Sequence, residues 1–182
     1  MNECKNSFVL LLMIFAVLSL VAVDVAGIES GLKAPQFNIE SGDGKVLSLN
    51  QLQGKTVVVI YESKDVIEQN RPFKDELAVL LNGSEVLKAK TTVLSVIDCS
   101  SASWITKKVW KSNLVKNSKK ETLTVYGDWD GSMSADYKME DGKSNIVIID
   151  RAGIVRYFKS GRLSSNEINQ CKELIQKLAG NK

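Results

Sequence analysis

The chain has 182 residues, a length that suits one domain and is marginal for two. Its 24 Lys and Arg against 21 Asp and Glu leave a net charge of +3 on interspersed residues, an ordinary solubility charge that gives no footprint for nucleic acid. Histidine is absent and the cysteines number three, which excludes a Ser-His-Asp or Cys-His nucleophile and the usual clusters that hold zinc or copper; neither a cofactor nor a metal is expected.

Phe8 to Ala22 is an almost unbroken apolar run behind Lys5, the pattern of a signal-peptide core after a short basic start. Val25-Ala26-Gly27 offers small residues before a cut, so residues 1–27 are expected to be a signal peptide and residues 28–182 a single domain beginning at Ile28. Removing that segment takes away Glu3, Lys5 and Asp24 and leaves a net charge of +4. An uncleaved anchor is the competing reading and the one route to a membrane, although Phe8 to Val23 falls short of the ~20 apolar residues a spanning helix needs. Cys4 precedes the apolar run, so it does not suggest a lipoprotein cysteine.

Pro35 to Ile39 and Val46 to Leu49, around Ser41-Gly42-Asp43-Gly44, read as a β-hairpin, and Leu49 to Gly54 as a brief helical turn. Thr56-Val57-Val58-Val59-Ile60-Tyr61 is β-branched without alternation, which predicts a central strand buried on both faces. Asp65 and Glu68 are spaced to cap a helix that carries Phe73, Leu77, Leu80 and Leu81 on one arc, with Pro72 inside it as a kink and Asn82-Gly83 as its end. Thr92 to Ile97 is a second core strand, closed by Asp98-Cys99-Ser100.

Ser103 to Lys116 is expected to be helical with two apolar arcs. Trp104, Ile105, Val109 and Val115 lie on one, and Trp110 and Leu114 on the other; one arc can cover the sheet, and the second needs another burial partner. Lys116, Lys119 and Lys120 read as a solvated helix end. A short strand at Leu123 to Tyr126, a turn at Gly127 to Ser132 and a small helix at Ser134 to Met139 follow. Asn145 to Asp150 and Ile154 to Phe158 flank the tight turn Arg151-Ala152-Gly153, and the last helix opens on Ser164-Ser165-Asn166-Glu167 with Ile168, Cys171, Leu174, Ile175 and Leu178 on one arc.

This order of elements closes into a mixed sheet with helices on both faces, and over Ala34 to Leu178 it resembles the thioredoxin superfamily. The expected fold is α/β, a thioredoxin-like mixed sheet with an N-terminal β-hairpin extension. The hairpin and the turn Asp150-Arg151-Ala152-Gly153 are similar to the redoxin branch. Glu68-Gln69-Asn70-Arg71-Pro72-Phe73, the Asp98-Cys99 strand end and the block from Ile146 to Leu178 are similar to the YtfJ family, periplasmic proteins with no established activity. The resemblance therefore implies the periplasm and supplies no mechanism.

Counting back from Pro72, the positions of the thioredoxin Trp-Cys-x-x-Cys fall on Ser63, Lys64 and Ile67, so both thiols of the exchange pair are missing. The superfamily's cis-proline should fall near Lys143-Ser144, where there is none, and the peroxiredoxin Thr-x-x-Cys is absent after the central strand. Neither activity is expected. What the loops above the sheet offer is a possible binding surface for a periplasmic or envelope protein: Glu62, Lys64, Asp65, Asp98, Trp104, Trp110, Asp128 and Trp129, with aromatics of the kind enriched at hot spots. The alternative is a single-cysteine thiol-dependent enzyme or redox sensor on Cys99, which requires an exposed thiol of lowered pKa. Cys171 reads as a core residue, and a Cys99–Cys171 disulfide is a further option. Asp128-Trp129-Asp130-Gly131-Ser132 lacks the Gly and Glu of a calcium loop and reads as an Asp-stabilised turn.

Overall fold

The computed structural model describes residues 27–180. The expected signal peptide, apart from Gly27, and Cys4 lie outside the described residues. Two strands, β1 (Asn38–Ser41) and β2 (Val46–Ser48), form the hairpin, and a 3-10 turn at Leu49–Leu52 leads into β3 (Thr56–Glu62). Every residue of β3 is buried, as an unbroken β-branched run requires. Helices α1 (Arg71–Asn82) and α2 (Glu85–Lys90) connect it to β4 (Thr91–Asp98). Helix α3 (Lys107–Glu121), strand β5 (Val125–Asp128) and helix α4 (Ser132–Asp136) follow, then β6 (Asn145–Ile149), β7 (Val155–Ser160) and α5 (Ser165–Gly180).

All seven strands share one mixed sheet in the order β2-β1-β5-β4-β3-β6-β7. β3 pairs in parallel with β4, and β4 with β5, while β6 and β7 run antiparallel. The hairpin extends this sheet, because β1 pairs antiparallel with β5. One sheet face carries Val58, Ile60, Ile146 and Ile148 against Phe73 and Leu77 of α1 and Ile168, Cys171 and Ile175 of α5. Leu114 of α3 extends that layer over Ile97 and Val125. The opposite face, with Val57, Val59, Leu94 and Val147, is closed by Phe37, Leu49, Leu52, Met133 and Tyr137. Helices thus cover both faces, α1, α2, α3 and α5 on one and the 3-10 turn with α4 on the other.

The structure moves several expected boundaries. Helix α1 starts at Arg71, and Pro72 sits in its first turn, where no intrahelical donor is lost, so it does not kink the helix. Asn70, at the cap position, spends its side chain on tertiary bonds: Nδ2 donates to Gly161 O and Oδ1 accepts from Leu163 N. α3 begins four residues later than expected and runs to Glu121. β5 takes in Gly127 and Asp128, since the backbone there pairs with Ile97 and Asp98 of β4. Helix α2 buries none of its residues and so leaves no apolar stripe in the sequence. The capping box of α5 is present: Ser164 N and Oγ donate to Glu167 Oε2 at 2.8 and 2.7 Å, and Glu167 N donates to Ser164 Oγ.

Candidate functional site

The carboxyl ends of β3, β4 and β5 lie side by side, and the loops 63–70, 99–106 and 129–131 stand above them. At the end of β3, Glu62 is completely buried. Lys74 Nζ donates to Glu62 Oε2 at 2.6 Å and to the carbonyl of Ile67 at 2.8 Å, so the ammonium pins the loop over the ion pair. Ser144 Oγ donates to Glu62 Oε1 at 3.0 Å, Asn70 Nδ2 donates to Ser144 Oγ at 3.0 Å, and Ser144 N donates to Gln69 Oε1 at 2.8 Å. Ser144 thus occupies the place just ahead of β6 that corresponds to the superfamily's cis-proline, and among the described residues every peptide bond is trans. Burial raises the Glu62 carboxyl above its ordinary value, against the opposing pull of Lys74 and Ser144. With both oxygens occupied, Glu62 is a tie between the sheet and α1, which corrects its expected place on a binding surface.

Beside it, Asp128 is also buried. Its Oδ2 accepts from Tyr61 Oη at 3.1 Å and from Ser134 N at 3.2 Å, while Oδ1 has no partner among the described residues. Burial pushes its carboxyl up as well. It too leaves the expected surface, because β5 carries it inward alongside Asp98.

Cys99 is buried, packed so closely under β5 that a Cβ on Gly127 would lie 2.9 Å from its Sγ. Burial, then the charges of Asp98 and Asp128, push its thiol up to about 12, with Lys107 opposing. Helix α3 begins at Lys107, and the charge at that end only partly offsets the rise. Cys171 lies under α5 in a different cluster of the core, against Ile146 and Ile148, and burial raises it to about 11. Both cysteines are free. Neither has the exposure or the lowered pKa of a reactive thiol.

The accessible part of this end is apolar and basic. Trp104, Ile105 and Val109 are 87%, 69% and 61% exposed, respectively. Lys64, Asp65 and Lys108 are exposed too, and Asp98 is half-buried with Oδ1 accepting from Ser100 N. Of the two apolar arcs, the one with Leu114, and Trp110 beside it, covers Ile97 and Val125, while Trp104, Ile105 and Val109 of the other face out without the burial partner expected for the second arc. The reason is that the helix starts at Lys107, so Trp104 and Ile105 lie in the turn before it, where helical spacing does not place them. Trp129 is half-buried; its Nε1 donates to Glu40 O at 3.3 Å, and the ammonium groups of Lys107 and Lys111 lie 4.8 and 5.9 Å from its ring centroid. Trp110 and Trp129 therefore serve packing, and Ile105 and Val109 are surface residues that sequence reasoning assigned to the interior. Among the described residues, no group of three or more Cys, Asp or Glu could hold a metal ion, and no helix is long and apolar enough to cross a membrane.

A family model described as a bacterial protein of unknown function (YtfJ_HI0045) matches residues 35–178. The chain belongs to the YtfJ family. No curated protein matches it. Among solved structures, this YtfJ-family chain is similar to a candidate protein disulfide isomerase of Bacteroides thetaiotaomicron, at a TM-score of 0.63 and 20% identity over 86% of this chain and 94% of that one. The thioredoxin domain of a Bacteroides vulgatus thiol-disulfide oxidoreductase gives 0.59 and 16% over 81% and 99%. A Chromobacterium violaceum thiol peroxidase gives 0.60 and 12% over 83% and 88%. At these identities the likeness is one of fold, the thioredoxin-like α/β architecture.

Proposed function

We propose that this YtfJ-family protein is exported to the periplasm and acts there as a binding or accessory protein without dithiol redox chemistry, meeting another envelope protein at the carboxyl ends of its strands. The observation that carries this reading is the exposed apolar group Trp104, Ile105 and Val109, placed where open α/β sheets present their ligand sites, while Cys99 and Cys171 are both buried. Aromatic and aliphatic side chains in that setting form the apolar centre of an interface, and the exposed Lys108 next to Val109 favours an acidic partner segment.

A photo-crosslinking residue at position 104, expressed in the native envelope, tests this. A discrete adduct from position 104, absent when the probe replaces Val79 of α1, which is also exposed, is expected; equal labelling from both positions, or none from 104, sinks the reading. Mass spectrometry of the same material reports export, with Ile28 expected as the first residue and an intact N-terminus contradicting cleavage. Thiol labelling reports the redox side: Cys99 and Cys171 are expected to stay unmodified at pH 8 in native protein, with or without reductant, and to react once it is unfolded. Fast labelling of native Cys99 would instead favour the single-thiol enzyme.

A further inference from the structure

Between α1 and α3, on the face that carries the long helices, lies a cleft of about 410 Å³. It exists because the two helices do not close on each other. Toward the cleft α3 presents Asn117, Lys120 and Glu121, polar side chains that cannot seal an apolar floor. The Arg71 guanidinium bridges the gap, donating to both oxygens of Glu121 at 2.8 and 2.9 Å and to both of Glu68 at 2.8 and 3.0 Å. Four of its five N–H donors are thereby spent, and Arg71 acts as a strut.

The walls and floor are apolar, built by Ile60, Leu77, Leu81, Val93, Ile97 and Val125. In the middle of that floor is Ser95, half-buried and flanked on its own face by Val93 and Ile97. Among the described residues neither the Ser95 hydroxyl nor the Asn117 amide has a side-chain hydrogen-bond partner. Of the charges at the rim, Arg71 and Lys74 are held in ion pairs; among the described residues Lys88, Lys120 and Asp75 make none, and Lys120 stands near enough to Glu68 and Glu121 to help lower their carboxyls. Mostly apolar concavities of about 300–1,000 Å³ with a few convergent polar groups are the usual form of a small-molecule site.

We propose that this cleft binds a free single-chain amphiphile with an anionic head, such as an alkyl carboxylate, the chain lying over Val93 and Ile97 and the head held by the ammonium groups of Lys88 and Lys120. The site is separate from the Trp104 surface and stands whether or not that surface binds a protein.

Calorimetric titration of the purified protein with decanoate, decanol and decyltrimethylammonium, each below its micelle concentration, tests it. Saturable binding in the order decanoate, decanol, decyltrimethylammonium is expected. Reversing Lys88→Glu and Lys120→Glu together should weaken decanoate about tenfold and leave decanol unchanged. Ala78→Phe, on an exposed position of the cleft wall, should remove binding of both without changing the melting temperature. Amide shifts in unmodified protein should centre on Ser95 and Asn117 when decanoate is added. The proposal is overturned if no probe saturates, if the cationic probe binds as tightly as decanoate, or if the shifts centre on Trp104 instead.

Discussion

Glu62 and Lys74 are the residues on which the carboxyl end of the sheet depends. Their contact at 2.6 Å, with Lys74 itself only 13% exposed, satisfies two charges that burial alone would penalise. Glu62→Ala leaves the ammonium buried without its counter-charge, and a loss of about 3–5 kcal/mol in urea unfolding is expected. Replacing the pair together by Leu and Met should recover most of that loss, since an apolar pair removes the uncompensated charge. Glu167 works at the surface and in the opposite sense. Ser164's amide and hydroxyl, then Lys159, hold its carboxyl down from 4.5 to about 2. A depressed folded pKa stabilises above the unfolded value and is lost as pH falls, here between about 4.5 and 2. Glu167→Gln keeps an acceptor for the capping box but no longer titrates, so its melting temperature should fall less steeply over that window than that of the unmodified protein.

At the scale of elements, α1 and α3 show how position outweighs composition. Pro72 lies in the first turn of α1, and Pro72→Ala should change stability by less than about 1 kcal/mol, whereas an interior proline costs about 3. The turn of the N-terminal hairpin is docked against α3: a Cβ on Gly42 would lie 2.4 Å from Lys111 O and 2.9 Å from Val115 N. Both neighbours are helix backbone and cannot swing aside, so Gly42→Ala should cost about 1–3 kcal/mol, read as a shift in the urea midpoint. Lys111 strengthens the same junction by pairing with Glu40 of β1, and Trp129 lies against both elements.

For the whole molecule, one sheet supports two cores, and the polar knot joins its parts. Glu62, Asn70, Ser144, Gly161 and Leu163 link β3, α1, β6 and the entry to α5 through hydrogen bonds of 2.8 to 3.0 Å. Both cores share the same strands, so neither can melt while the other stays folded. Tryptophan fluorescence, which reports the α3 side, and far-UV circular dichroism should therefore give coincident urea transitions. Separate midpoints would mean that the hairpin and α3 form an independent unit.

Much of this architecture was legible in the sequence, because its signals act over a few neighbours. The β-branched run of β3, the Ser164–Glu167 box and the arc from Ile168 to Leu178 needed only local spacing, and the order of elements then set the thioredoxin-like topology. The candidate site was legible only in outline: the loops above the sheet were placed, but not which side chains reach solvent. Glu62 is buried by Lys74 and by Ser144, 82 residues away, and Asp128 by pairing of β5 with β4 and a bond from Tyr61, 67 residues away. The outward turn of Trp104 and Ile105 followed from where α3 begins, and the cleft from the polar side that α3 turns toward α1. Local periodicity specifies which residues share a face; only the partners brought together by the folded sheet decide whether that face is covered.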